Sequence, residues 1–90
     1  MNVKYSPLFL STSKKLNAKI RKSLKEKLAI FIKDPQDVQL DNHELKNQWV
    51  GHNSIDITAD YRAIYKVIYY GNETVAYFVA IGTHKQLYSK

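Results

Sequence analysis

An α+β fold is the class this sequence predicts, and three observations predict it. Apolar residues recur at three- and four-residue spacing between Ala18 and Lys33. A period-two alternation then runs from about His52 to Tyr70. Gly71-Asn72 separates that run from a further apolar stretch, Thr74–Ile81. Helices grouped before strands pack as one layer on a mostly antiparallel sheet and leave the sheet's other face open.

The elements follow in order. Asn2 to Tyr5 alternates polar and apolar residues and reads as a short first strand. Ser6-Pro7 starts a helix, with Ser as the N-cap and Pro where its missing N–H costs nothing. This helix runs from Pro7 to about Leu16, and Asn17 breaks it and caps a second one. From Ala18 to Lys33, Ile20, Leu24, Leu28, Phe31 and Ile32 form one apolar stripe, while Lys19, Arg21, Lys22, Lys25 and Lys27 lie outside it. Asp34-Pro35 stops the helix, because a residue before proline is pushed out of the helical region. So short a join predicts an antiparallel helical hairpin.

Residues 34–47 read as a polar, acidic loop with a short strand near Glu44–Lys46. Next, Ile55 and Ile57 point one way and Ser54, Asp56 and Thr58 the other. Thr58-Ala59-Asp60 is the expected turn. Tyr61–Tyr70 is a long strand with Ala63, Tyr65 and Val67 opposite Arg62 and Lys66. Thr74–Ile81 is expected to be central and buried on both faces, Gly82 to end it, and Thr83–Lys90 to be a short tail. The predicted sheet has four to five strands.

The 90 residues are read as one domain, 1–90. With no cysteine there is no disulfide, thiolate metal site or thiol nucleophile. No apolar run approaches the roughly 20 residues of a membrane span, and no signal-peptide pattern opens the chain, so a cytoplasmic location and no membrane partner are expected. The net charge is +6, and residues 1–33 hold nine of the Lys and Arg against the single Glu26. Such a surface suits a polyanion or an acidic protein; a merely solvated helix face is the plainer reading.

Chemistry concentrates in His43, Asp56, Asp60, Arg62 and His84. Pairing across the Thr58–Tyr61 turn brings Asp56 beside Arg62 on the polar face. If the last strand neighbours Tyr61–Tyr70, His84 approaches the same face. Imidazoles near carboxylates suit proton transfer at neutral pH. Arg62 can hold a phosphate through its fork, and Trp49 and the tyrosines offer rings for base stacking. Together they suit a metal-free ribonuclease in which the RNA 2′-OH is the internal nucleophile. Each residue also has a plainer reading: Asp60 as a turn residue, Arg62 as a cross-hairpin ion pair, Trp49 as packing. No histidine pair has metal-ligand spacing and no glycine-rich phosphate loop exists, so no metal or cofactor is expected.

HELKNQWVG, SIDITADYRAIYKV and IGTHKQLY resemble, in order, the motifs H-x-L-x-x-x-W-x-G, D-[WY]-R-x-I-Y and G-T-H-x-x-L-[YF]. These are the motifs of the RelE/ParE superfamily of bacterial type II toxins, most similar in the YafQ-like branch, and the resemblance spans essentially the whole chain. It implies a RelE-like fold. It also implies a messenger-RNA endoribonuclease acting on the ribosome, restrained by a cognate acidic antitoxin that alone would bring it to operator DNA. By motif, His43 takes a catalytic acid–base position, Asp60 the catalytic aspartate, Arg62 the transition-state-stabilising arginine and His84 the general acid. Tyr61, Tyr88, Lys46 and Lys85 take substrate-binding places. Two positions depart from the pattern: Asp56 stands where YafQ-like toxins have a second histidine, and Ala80 where they have an arginine. Two alternatives remain, a ParE-like gyrase poison, whose family lacks the histidine pair, and an inactive RNA-binding remnant.

Overall fold

The computed structural model describes residues 1–88. Its elements are β1 (Asn2–Tyr5), α1 (Pro7–Lys14), α2 (Ala18–Lys33), β2 (His43–Glu44), β3 (Asn53–Asp56), β4 (Tyr61–Tyr70), β5 (Glu73–Thr83) and α3 (His84–Tyr88). Short 3₁₀ turns at Val38–Leu40 and Asn47–Trp49 flank β2. The five strands form one sheet in the order β1-β5-β4-β3-β2, antiparallel except for β1, which runs parallel to β5. The α+β class and the helical layer are therefore as the sequence predicts, while the opposite face is open except around the fully buried Ile64.

Local chemistry starts both long helices where expected. The Ser6 hydroxyl accepts from the Phe9 N–H (3.0 Å) and the Asn17 side chain accepts from the Ile20 N–H (2.9 Å). Each bond satisfies a donor that a helix end otherwise leaves unpaired, worth about 1 kcal/mol per cap. α1 ends two residues before Leu16, its last turn tightened by bonds from Lys15 N–H to Thr12 and from Leu16 N–H to Ser13.

The core lies between the helices and one sheet face. Phe9 of α1 and Leu24 and Phe31 of α2 meet Ile55, Ile57, Ala63, Tyr65, Ala76, Phe78 and Ile81. Rings carry much of it: Phe31 stands edge-on to Tyr65 (5.0 Å) and to Phe78 (5.2 Å), and Phe9 lies 5.6 Å from Phe78. Such pairs add about 0.5–1.5 kcal/mol each beyond the apolar area they bury.

Phe78 and Ile81 both face this core although they are three residues apart. The β4–β5 register explains it: Tyr65 pairs with Phe78 but Ile64 with Ala80, so Val79 is an extra, bulged residue.

Four expectations are corrected. β5 does not stop at Gly82; Gly82 pairs with Arg62 and the strand continues to Thr83. The segment after it is the helix α3, not a plain tail, and residues 89 and 90 of that expected tail lie outside the described residues. Val67 is on the core side but 42% exposed, because it lies toward the hairpin tip beyond the buried cluster. Ser54, expected on a solvent-facing side, is fully buried between its cross-strand neighbours His43 and Ile64. No helix among the described residues is long and apolar enough to cross a membrane.

Candidate active site

The open face of the sheet holds the site, and its geometry begins in the core. The Tyr65 hydroxyl, on a ring wedged against Phe31, hydrogen-bonds the Asn42 side-chain amide (2.8 Å), which also donates to the Pro35 carbonyl (2.9 Å). Burial raises the Tyr65 pKa above its ordinary value, with the Asn42 bond acting the other way. Asn42 is thereby pinned, and with it Asp41 and His43 on either side.

Asp41 adopts a left-handed backbone (φ 45°), as does Asn47 (φ 57°) on the far side of β2. Asp and Asn are the non-glycine residues that visit this region most readily. The Asp41 carbonyl lies 2.8 Å from His43 Nδ1. A carbonyl only accepts, so Nδ1 carries the proton in this contact. In the neutral ring Nε2 is then the unprotonated nitrogen, and it faces the buried Ser54 hydroxyl at 3.4 Å.

Arg62 stands opposite Asp56 in the β3–β4 pairing. Its Nε lies 2.8 Å from Asp56 Oδ1, but that oxygen accepts no well-aligned hydrogen bond, so the contact is ionic. Nη1 donates to the carbonyls of Thr58 (2.9 Å), Ala59 (3.1 Å) and Tyr61 (3.2 Å). The guanidinium is therefore held rigidly against the 57–60 turn, while Nη2 makes no bond among the described residues.

His84 begins α3, and its N–H donates to the Asp60 carbonyl (3.2 Å). Thr83 and Gln86 exchange side-chain-to-backbone bonds (2.8 and 3.2 Å), a capping box that starts the helix. At its other end the Trp49 Nε1–H (2.8 Å) and the Gln48 amide (3.2 Å) both donate to the Leu87 carbonyl. Within α3 the His84 and Tyr88 rings lie 4.6 Å apart.

These elements enclose an open cleft of about 410 Å³ lined by Asp41, His43, Leu45, Lys46, Asn47, Arg62, His84 and Tyr88. Five residues singled out from sequence thus meet in one place: His43, Lys46, Arg62, His84 and Tyr88. Asp56 stands behind them, engaged with Arg62 rather than with His43. Asp60, Tyr61 and Lys85 line a neighbouring depression of about 450 Å³, which shares only His84 with the cleft. Tyr61 packs against the core side of the sheet, whereas Arg62 faces the open side.

Sequence reasoning missed Ser54, the Asp41 carbonyl and the Trp49–Gln48 clamp. Only the clamp had a signal, since a partly buried indole N–H ordinarily finds a partner. Among the described residues no group of three or more His, Cys, Asp or Glu is placed to hold a metal ion.

A helical layer on one sheet face, and two imidazoles with a guanidinium and an ammonium on the other, define a small basic α+β protein whose site suits an anionic substrate. The model of the family described as "ParE toxin of type II toxin-antitoxin system, parDE" matches residues 3–88, and the chain belongs to that family, within the RelE/ParE superfamily. Among solved structures, YafQ from E. coli strain BL21(DE3) is 25% identical with a TM-score of 0.75, the match covering 98% of each chain. The YoeB/ParE toxin from Agrobacterium tumefaciens is 17% identical with a TM-score of 0.74, covering 93% of this chain and 99% of that one. The toxin–antitoxin complex RelBE2 from Mycobacterium tuberculosis gives 17% and 0.72, covering 92% and 96%. No curated protein matches the chain.

Proposed function

We propose that this toxin is an endoribonuclease that cuts messenger RNA on the ribosome. The observation that carries the reading is the convergence of His43, Arg62 and His84 on one cleft. The 2′-oxygen attacks the adjacent phosphorus as its proton passes to His43 Nε2. The new P–O2′ bond forms, the P–O5′ bond breaks, and His84 delivers a proton to the departing O5′. The products are a 2′,3′-cyclic phosphate and a 5′-hydroxyl.

Arg62, oriented by Asp56 and the turn carbonyls, offsets the charge that builds on the phosphoryl oxygens, where a fixed donor is worth most. Lys46 and Tyr88 place the phosphate and base, while Asp60, Tyr61 and Lys85 contact the strand beyond His84. Asp56 serves here as the partner of Arg62, not as a substitute for a histidine. In this reading the whole of residues 1–90 acts as one toxin domain in the cytoplasm. Its basic helices grip ribosomal RNA, and a cognate acidic antitoxin covers the cleft and alone brings the pair to operator DNA.

Primer extension on messenger RNA after induction tests the proposal. Cuts within codons are expected, and His84→Ala or His43→Ala should each reduce them about 10²–10⁴-fold, the usual worth of one positioned acid or base. Intact messages with stalled gyrase would refute it. That outcome would favour a gyrase poison, a second reading suggested by the ParE description of the matching family.

A further inference from the structure

The open face does not end at the cleft. Arg62, Ile64, Lys66, Ile68 and Tyr70 are alternate residues of β4 and share that face, since the bulge lies in β5 and leaves β4 regular. In register, Lys66 pairs with Tyr77 of β5, and Tyr77 pairs with Lys4 of β1. One row across three strands therefore reads Lys4, Tyr77, Lys66: a half-buried phenol ring between two exposed ammonium groups. Beside it, Tyr70 is 63% exposed, and the Lys4 ammonium lies 5.2 Å from its ring centre.

Among the described residues neither Lys4 nor Lys66 has a carboxylate within ion-pairing distance. The nearby acid, Glu73, is bonded instead by the Asn2 amide (3.0 Å). Lys66 is four residues along the strand from Arg62, about 13 Å at the usual strand rise.

We propose that this row is a second subsite for single-stranded RNA, holding the strand a few nucleotides away from the scissile phosphate. The inference rests on the ribonuclease reading and deepens it. Three features select RNA over an acidic peptide. The Tyr77 ring presents an apolar face to a base with a cation on either side for the flanking phosphates. Tyr70 offers a second such ring. The row also lies on the same face of β4 as Arg62, about 13 Å from the cleft where the strand would be cut, with the buried Ile64 between them. Stacking on one aromatic ring and neutralising a phosphate on either side is how non-specific single-strand sites are built.

The test uses the intact toxin and a short 2′-O-methyl oligoribonucleotide, which lacks the attacking hydroxyl and so reports binding without cleavage. Fluorescence anisotropy across a salt series gives affinity and its slope. Lys4→Gln with Lys66→Gln should flatten the slope of log K against log salt by about 1.4, since each phosphate contact on a single strand contributes about 0.7. Tyr77→Leu should weaken binding about fivefold or more, the lower end of a lost base–ring stack. All these side chains are outside the cleft, so His84→Ala should leave the Lys4 and Lys66 effects in place.

Unchanged affinity and slope in the lysine variant, with its melting temperature preserved, would overturn the subsite whatever the cleft does. Row-dependent binding of poly-glutamate without row-dependent binding of the oligonucleotide would also overturn it and assign the face to an acidic protein. Row-dependent oligonucleotide binding with messages left intact in cells would sustain the subsite and sink the ribonuclease reading instead.

Discussion

Trp49→Phe removes a single N–H while keeping an aromatic ring against His52, whose ring lies 5.3 Å away. That N–H is the shorter of two donors to the Leu87 carbonyl, 2.8 Å against 3.2 Å for Gln48. A five-residue helix cannot satisfy its last carbonyls internally, so α3 depends on such outside donors. Losing one neutral hydrogen bond costs about 0.5–1.5 kcal/mol, which shifts the local opening of α3 about two- to tenfold. Amide hydrogen exchange should therefore quicken by that factor at His84, whose N–H rests on Asp60, and at Gln86, whose N–H rests on Thr83. Amides of β4 and β5 should keep their native rates. Adding Gln48→Leu should deepen the effect, because the carbonyl then keeps no side-chain donor among the described residues. If exchange across residues 84–88 stays at wild-type rates in both variants, the indole does not hold α3, and the clamp is incidental.

Two further outcomes follow from the core. Phe31→Ala should cost about 3–5 kcal/mol, since the ring is fully buried and edge-on to both Tyr65 and Phe78; small domains hold only about 5–15 kcal/mol in total, so urea denaturation should shift by about 2 M or leave the variant unfolded. The Tyr65 phenol, with its pKa raised above 10.0 by burial, favours the fold in its protonated form. The stabilisation is complete below 10.0 and is lost as pH rises through the higher folded value. Denaturation midpoints should accordingly fall on the alkaline side, and less steeply in Tyr65→Phe; an equal alkaline slope in both would show that this phenol does not contribute.

Much of this fold is readable from local rules because those rules act where they should. Ser6 and Asn17 cap the helices they precede, and Gly71, with φ 62°, turns β4 into β5. The Asp56–Arg62 pairing follows from the length of the turn between them. The segment after β5 departs from its sequence pattern for an identifiable reason. Gly82 reads as a terminator, yet an added Cβ there would lie 2.9 Å from Gln86 Oε1 and 3.3 Å from Gln86 Cβ, so the glycine admits α3 close against the strand. Thr83-His84-Lys85-Gln86 in fact contains a capping box, whose signature is a Thr and a Gln three residues apart.

The site was less legible than the fold. Strand pairing alone puts Arg62 and His84 on one face, whereas His43 joins them only through the motif resemblance. That Asp60 belongs to a neighbouring depression, and that Ser54 is buried beside His43, depends on how α3 and the Asn47–Trp49 turn cover the open face. No periodicity in the sequence encodes that covering.

The parallel pairing of β1 with β5 also bears on when the fold can form. Asn2 to Tyr5 align with Val75 to Phe78, so β1 waits until residues 75–78 have been made. The Ser6 N–H, at the head of α1, likewise finds its acceptor only at the Phe78 carbonyl. Contacts this distant in sequence are slow to form, because the chain between them must be ordered before any reward is gained. During synthesis α1 and α2 emerge before the strands they pack on. The sheet, the cleft and any activity housed there come into being only once β5 has left the ribosome.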